Sequence, residues 1–358
     1  MSHRIKLAKT ILAICILLLV GLAATACSSS ATPAEVATPP PTEALVETIS
    51  STEAVSSELA GTSTATEDPA KVLLEKAIGL YDEGKLDEAK AALEEALTLQ
   101  PNQGVLYYYR ALVYRQKGEF DPAMADLTKA LELNPEAILS LNERGGLYTQ
   151  MGELEKAKAD FDKAISLYPE FYEAYNGRGI VFVTMGQADQ AIADFNQAIT
   201  LKADNSNAYS NRGNAYAIKE DFEKAIADYL KATELSPDNP DNFYNLGRAY
   251  AISNNLDKAL EAIAKSIELN PEDAKAYLLQ GTTYAQKDDL ENALRSYNKA
   301  IELLPDNALF YYYRGLVYIG LNQNDTAITD FRKVLELTDN EEMIASATEY
   351  LKSLGATP

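Results

Sequence analysis

Residues 138–205 contain two successive 34-residue blocks, ILSLNERGGLYTQMGELEKAKADFDKAISLYPEF and YEAYNGRGIVFVTMGQADQAIADFNQAITLKADN. Both carry Asn, Arg and Gly at positions 5, 7 and 8, Gly at position 15, Ala at position 20 and Asp-Phe at positions 23 and 24. The same period runs from Ala70 to Glu341 without an insertion or deletion, which makes eight blocks. A fixed period of this length indicates a repeat architecture, in which each unit buries its apolar face against its neighbour.

Each block is predicted to fold as two helices. Positions 4, 8 and 11 share one face of a first helix, and positions 20, 24, 27 and 30 give a second helix an apolar face. Position 8 is always Gly or Ala and position 20 always Ala, so the two backbones can approach closely. Position 15 is Gly, Asn or Asp in seven blocks, which suits the left-handed residue that ends a helix. Proline at position 32 of six blocks cannot continue the second helix.

These features resemble the tetratricopeptide repeat family, and the resemblance covers residues 70–341. It implies an all-α fold, a right-handed solenoid of eight helix-turn-helix repeats with a concave groove formed mainly by the first helices. After the last block, Thr338-Asp339-Asn340-Glu341 matches the capping-box pattern S/T-x-x-E. We therefore expect residues 342–358 to form a polar capping helix and a short tail.

Five blocks carry Arg at position 7 together with Asp at position 23, and the other three blocks have neither residue. We predict a charge-assisted pair between the two helices of each of the five blocks. Pairing across neighbouring blocks fits the pattern less well, because Asp228 would then face Leu246. Carboxylates with this structural role are poor candidates for acid–base chemistry. The five pairs are Arg110–Asp126, Arg144–Asp160, Arg178–Asp194, Arg212–Asp228 and Arg314–Asp330.

In the family that the blocks resemble, positions 2, 5, 6, 9, 12 and 13 of the first helix face the concave side, and we call this surface the groove face. Tyrosine there can anchor a partner through its rigid ring and hydroxyl, and asparagine can pair with an extended peptide backbone. The alternative is that the outer tyrosines fill ordinary core positions. The candidate partner-binding residues are Tyr108, Leu112, Asn142, Asn176, Tyr244, Arg248 and Tyr312.

The N-terminus has the pattern of an export signal. Residues 1–10 carry three basic residues and no acid, residues 11–26 are uncharged, and Ala24-Thr25-Ala26 precedes Cys27. The uncharged run is shorter than the roughly 20 apolar residues that span a bilayer, which disfavours a retained transmembrane anchor. The exit resembles the bacterial lipoprotein box, with Ala24 where Leu is usual, and implies lipidation of Cys27. A secreted protein cut at the same bond by the A-x-A rule remains the alternative.

Residues 27–69 are predicted to be a disordered tether behind the lipidated Cys27. Of the 42 residues after the cysteine, 28 are Ser, Thr, Pro or Ala and seven are acidic, with no basic or aromatic residue. Such a segment cannot bury enough apolar surface to fold, so it would lift the repeats from the membrane.

The remaining composition excludes several classes of protein. A net charge of -21 argues against nucleic-acid binding, which requires a basic surface. The single histidine, His3, and Cys15 both precede the predicted cleavage site, so histidine triads and His/Cys metal sites are unavailable. We expect no cofactor, no metal, no small-molecule substrate and no enzymatic activity, although a paired-carboxylate hydrolase remains a rival hypothesis.

The sequence therefore favours a non-enzymatic scaffold, a membrane-anchored lipoprotein of the bacterial cell envelope that binds proteins or peptides in its groove. Its acidity favours neutral or basic partners. The alternative function is glycan or peptidoglycan binding, with groove tyrosines stacking on sugar rings.

Overall fold

A computed structural model describes residues 68–358, and within this range the chain is entirely helical, which confirms the predicted fold class. The helices are α1 Pro69–Asp82, α2 Leu86–Leu99, α3 Gly104–Gln116, α4 Phe120–Leu133, α5 Ile138–Gln150, α6 Leu154–Leu167, α7 Tyr172–Thr184, α8 Ala188–Leu201, α9 Ser206–Ile218, α10 Phe222–Leu235, α11 Pro240–Ile252, α12 Leu256–Leu269, α13 Ala274–Gln286, α14 Leu290–Leu303, α15 Ala308–Gly320, α16 Asn324–Leu337 and α17 Glu341–Ser353.

The turn inside each block depends on a left-handed residue at position 15. Its φ is 74° to 76° at the four glycines and 58° to 62° at the other four residues. Glu220 is the exception to the predicted residue types, and at φ 60° it accepts a conformation that costs an L-residue roughly 1 kcal/mol. The eight residues are Gly84, Gly118, Gly152, Gly186, Glu220, Asn254, Asp288 and Asn322.

The second helix of a block ends at an extended residue. Asn134, for example, has φ −139° and ψ 95°, and its amide closes the helix on the carbonyl of Ala130. Pro135 follows, and a residue before proline is held in this extended region by steric contact with the ring. The chain is thereby turned into the next first helix.

The described chain divides into two compact units, residues 68–186 with α1–α7 and residues 187–358 with α8–α17. Each unit has its own buried apolar clusters. Position 20 is fully buried in every block, so a larger side chain has no room there. These alanines are Ala89, Ala123, Ala157, Ala191, Ala225, Ala259, Ala293 and Ala327.

Glycine at position 8 makes room for a large side chain at position 24 of the same hairpin. A Cβ added to Gly213 would lie 2.8 Å from Tyr229 Cε1, and one added to Gly281 would lie 2.6 Å from Tyr297 Cε1. The two blocks with Ala at position 8 carry only Leu at position 24. Thus the small residue and the ring it faces form one packing unit.

The capping helix α17 starts differently from the sequence prediction. Its N-cap is Asn340, whose side chain accepts a hydrogen bond from Met343 N at 2.9 Å, and the predicted capping box starting at Thr338 is not formed. Thr338 Oγ1 instead accepts from Asn340 N at 3.1 Å. The helix is also less polar than predicted, because Ala347 and Leu351 are fully buried against α15 and α16.

Candidate functional site on the groove face

The predicted Arg–Asp pairs form two-point contacts in the second, third, fifth and eighth blocks. In the fifth block, Arg212 Nε and Nη2 donate to the two carboxylate oxygens of Asp228 at 2.8 and 2.6 Å. The corresponding distances are 2.7 and 2.8 Å for Arg110–Asp126 and for Arg144–Asp160, and 2.8 and 2.6 Å for Arg314–Asp330. These carboxylates are buried, and each accepts hydrogen bonds from the arginine of its own hairpin.

Two of these arginines and Arg178 of the fourth block also reach the preceding block, which the sequence reasoning did not foresee. Arg212 Nη1 donates to Asn196 Oδ1 at 2.6 Å, and Arg314 Nη1 donates to Asn298 Oδ1 at 2.7 Å. Arg178 Nη1 donates to Asp162 Oδ1 at 2.6 Å; its predicted partner Asp194 belongs to the other compact unit. One planar guanidinium can thus bind within its own hairpin and to the previous one.

Two of the three blocks that lack the ion pair show different replacements at positions 7 and 23. In the seventh block, Ser296 Oγ donates to Gln280 Oε1 at 2.8 Å, a neutral hydrogen bond in the same place. In the sixth block, Leu246 and Ala262 are both buried and apolar. The sixth block therefore has neither charge of the pair.

The outer tyrosines do not form an open aromatic surface. Tyr108 is 6% exposed and Tyr312 is 5% exposed, so the expected exposed anchors are core residues. Burial also raises the pKa of Tyr108 well above its usual value. Tyr312 packs edge-on to Phe331 and to Tyr350 of the capping helix, with ring centroids 6.0 and 6.2 Å apart. Nothing at position 5 of a single block could show that a later helix would cover the ring.

The remaining candidates divide between buried and half-buried side chains. Leu112 lies in the core of the first unit, whereas Asn142, Asn176 and Tyr244 are half-buried. Asn142 Oδ1 is shielded from solvent and accepts no hydrogen bond from any of residues 68–358. Part of each of these three side chains is accessible to a partner on the groove face.

A charged cluster on the groove face of the first unit was missed by the sequence reasoning. Arg115 Nη1 lies 2.7 Å from Glu143 Oε2, and Glu143 is 5% exposed. No N–H aims directly at Oε2, so the contact is an ion pair without a directed hydrogen bond. Burial raises the pKa of Glu143, and the charge of Arg115 opposes that rise. The two residues occupy positions 12 and 6 of successive blocks, a spacing that recurs nowhere else as Arg and Glu.

On the groove face of the second unit, Arg248 is buried at 4% exposure. Its Nη1 is shielded from solvent and donates to no acceptor in the described chain. Gln286 lies at position 13 of the following block, and its Nε2 is also shielded from solvent and donates to no acceptor in the described chain. Burial raises the pKa of Tyr244, which precedes Arg248 by one helical turn, and the positive charge of Arg248 opposes that effect.

The predicted signal peptide (1–26), lipidated Cys27 and nearly all of the tether (27–69) lie outside the described residues. None of the helices between residues 68 and 358 is long and apolar enough to cross a membrane.

Several solved structures share the fold at low sequence identity. A crystal structure of the APC/C hetero-tetramer Cut9-Hcn1 matches with a TM-score of 0.59 and 20% identity over 82% of this chain, which spans 57% of that chain. PilW, described as a type IV pilus biogenesis factor, matches with a TM-score of 0.54 and 20% identity over 59% of this chain and 97% of its own. PilF from Pseudomonas aeruginosa matches with a TM-score of 0.53 and 20% identity over 59% of this chain and 96% of its own. A sequence comparison with curated proteins found no match.

Family models identify the repeats directly. Models described as "Tetratricopeptide repeat" match residues 70–103, 105–136, 139–171, 240–273 and 308–341. A model described as "TPR repeat" matches residues 181–218, 213–252 and 281–322. These segments cover most of the eight blocks and agree with the hairpins of the structure. The chain therefore belongs to the tetratricopeptide repeat proteins.

Proposed function

We propose that this chain is a non-enzymatic interaction scaffold whose groove face binds a peptide segment of a protein partner. The observation that carries the proposal is that the groove face of each unit has a shielded polar atom without a partner within residues 68–358, Asn142 Oδ1 in the first unit and Arg248 Nη1 in the second. A buried polar atom without a hydrogen bond is costly, so native structures rarely keep one unless something else supplies its partner. An extended peptide carries both donors and acceptors and can supply them.

The chemistry of the repeats supports binding over catalysis. Four of the regular buried aspartates are held by arginine in two-point contacts, which removes them as general acids or bases. The net charge of -21 favours a neutral or basic partner. The glycan alternative depended on exposed groove tyrosines, and the burial of Tyr108 and Tyr312 takes away its main support.

A photo-crosslinking experiment on the full chain tests this function. A photoreactive amino acid at Asn142, on the groove face, is expected to capture a protein from the envelope, whereas the same group at the exposed Glu155 of helix α6 is not. In the Asn142→Ala variant, a photoreactive group at Asn176 of the same unit shows whether the partner still binds after one contact is lost. Equal capture at Asn142 and Glu155 would contradict a groove-specific partner, and binding to purified cell wall alone would support the glycan alternative.

The proposed location is the bacterial cell envelope, with the chain held to the membrane through acyl chains on Cys27. The basic start, uncharged run and small-residue exit before the cysteine support it. Metabolic labelling with radioactive palmitate should label the wild-type chain and not the Cys27→Ser variant. An unlabelled chain that is nevertheless exported would favour the secreted alternative.

A further inference from the structure

Arg248 is a buried cation without a counter-charge. It is 4% exposed, and within residues 68–358 it forms no ion pair and its Nη1 no hydrogen bond. A guanidinium stays protonated at any physiological pH, so it cannot escape burial by losing its charge. Buried charges are normally paired, because removal from water is otherwise uncompensated.

The other repeat arginines show what Arg248 lacks. Arg212 and Arg314, in the same unit, each hold both oxygens of an aspartate from their own hairpin. Those arginines occupy position 7, whereas Arg248 occupies position 9, on another face of the first helix, and the aspartate position of its own hairpin holds Ala262. Position 9 is otherwise occupied by uncharged residues, namely Ile78, Leu112, Gly146, Ile180, Asn214, Thr282 and Leu316.

The residues around Arg248 supply no acceptor for its Nη1, so an acceptor would have to come from another molecule. The other shielded atom without a partner in this unit, Gln286 Nε2, is also a donor. The acids whose charges act on the neighbouring Tyr244 are Asp241 and Asp273, and within residues 68–358 neither forms an ion pair with Arg248. Asp273 already caps helix α13 by accepting from Lys275 N at 2.9 Å.

We propose that Arg248 is the anchor of a carboxylate-binding subsite that takes an Asp or Glu side chain of the partner peptide. The subsite deepens the proposed function and rests on it. A carboxylate matches the planar donors of a guanidinium at two points. Because Arg248 is buried, the carboxylate must extend from the peptide backbone into the groove face. The side chain of an Asp or Glu can do this. The acidic repeats repel a generally acidic peptide, so the partner carries this acid within a neutral or basic segment.

Selection of random peptides displayed on phage tests the subsite directly and requires no identified partner. Full-length wild-type chain, the Arg248→Leu variant and an Arg295→Leu control serve as targets. Arg295 is exposed on α14, so its loss removes the same charge away from the groove face. We expect wild type and control to select peptides with Asp or Glu at one fixed position, and the Arg248→Leu variant to lose that preference.

Synthetic peptides of the selected sequence then identify the source of the carboxylate. Replacing the selected Glu by Gln should weaken binding to wild type at least about tenfold, the effect of a lost charge-assisted contact, and leave binding to the Arg248→Leu variant unchanged. Each peptide is made with a free and with an amidated C-terminus. If amidation rather than the Gln substitution abolishes binding, the side-chain assignment is overturned.

Thermal unfolding distinguishes a binding residue from a structural one. Leucine occupies position 9 in buried form at Leu112 and Leu316, so the Arg248→Leu variant should fold and unfold at a temperature equal to or above that of wild type. A lower unfolding temperature would show that the chain itself pairs the guanidinium, which overturns the subsite. Peptides selected without an acid preference would overturn it and leave the proposed function standing. Failure to select any peptide would overturn both.

Discussion

Arginines on the groove faces of the two units differ in one respect. In the first unit, Arg115 lies 2.7 Å from the buried carboxylate of Glu143. In the second unit, Arg248 is buried without a carboxylate partner in the described chain. An arginine on a first helix thus has a carboxylate partner in the first unit and none in the described part of the second unit. Burial by itself does not tell a structural charge from a binding charge, and the presence of a partner does.

The largest expected effect comes from removing the Arg115–Glu143 ion pair of the first unit. Arg115→Leu leaves Glu143 buried and uncompensated, and we expect it to lower the free energy of unfolding by about 3 to 5 kcal/mol. Arg248→Leu should not lower it at all. Urea denaturation of both variants at pH 7 measures the difference, and the Arg115→Leu/Glu143→Leu double variant is expected to recover most of the loss. Equal destabilisation by the two single substitutions would contradict the comparison.

The pH dependence of the same variant sharpens the comparison. Burial holds the pKa of Glu143 above its usual value of 4.5, and loss of Arg115 raises that pKa further. The folded state then binds a proton more readily than the unfolded state, so the variant gains stability as the pH falls through the folded-state pKa. We expect the deficit of Arg115→Leu relative to wild type to shrink between pH 7 and pH 5, as measured by urea denaturation. A deficit independent of pH would mean that Glu143 does not carry it.

A paired arginine of the second unit provides the next test. Asp228→Ala removes the carboxylate partner of Arg212 and leaves only Asn196 as an acceptor, and we expect a loss of about 2 to 3 kcal/mol. The Arg212→Leu/Asp228→Ala double variant copies Leu246 and Ala262 of the sixth block and should regain most of that loss. A double-mutant cycle by chemical denaturation measures the coupling. Additive losses would show that the pair does not act as a unit.

Close helix packing is shared by both units and should give a smaller effect. A Cβ at Gly177 would lie 2.5 Å from Phe161, whereas a Cβ at Gly146 would meet nothing within 4 Å. We expect Gly177→Ala to destabilise the first unit by about 1 to 2 kcal/mol, and Gly146→Ala to stabilise it by about 0.5 to 1 kcal/mol through helix propensity. Thermal unfolding of the two variants should therefore shift in opposite directions.

The smallest effect is expected at the exposed ion pairs between successive blocks. Lys117 Nζ lies 2.7 Å from Asp87 Oδ1, and equivalent contacts join Lys219 to Asp189 and Lys287 to Asp257. The side chain of Asp87 is 88% exposed, so Lys117→Gln should cost less than about 1 kcal/mol, and less still in high salt. Unfolding at two NaCl concentrations measures it. A larger, salt-independent loss would mean that these contacts, not the buried pairs, hold the blocks in register.

Much of the fold could be predicted from single positions in the repeat. Seven of the left-handed turns were predicted from Gly, Asn or Asp, because those residues tolerate a positive φ within a short segment. Glu220 escaped the prediction, since at that site the hairpin imposes the conformation on a residue that does not favour it. The N-cap of α17 was also predicted wrongly, because Asn340 and Thr338 both have a side chain that can cap a helix, and the structure uses Asn340.

The candidate site was less predictable, because burial there depends on several helices at once. The sequence predicted Tyr312 to be an exposed anchor, but in the structure its ring packs against the rings of Phe331 and Tyr350. The Arg115–Glu143 pair joins two blocks at positions that do not repeat, so no periodic signal marked it. Arg248 was recognised as a groove residue, but its lack of a partner became visible only from its burial and contacts.

The sequence by itself determined the 34-residue period, the two helices of each block, the turn at position 15 and the residue types available for the Arg–Asp contacts. These features depend on backbone conformation and side-chain periodicity, which act over a few residues or one hairpin. Only the tertiary structure decided which tyrosines are buried, which arginines reach the preceding block and which buried arginine lacks a partner among the described residues. Those outcomes depend on the summed burial and the hydrogen-bond partners that neighbouring helices bring to one point.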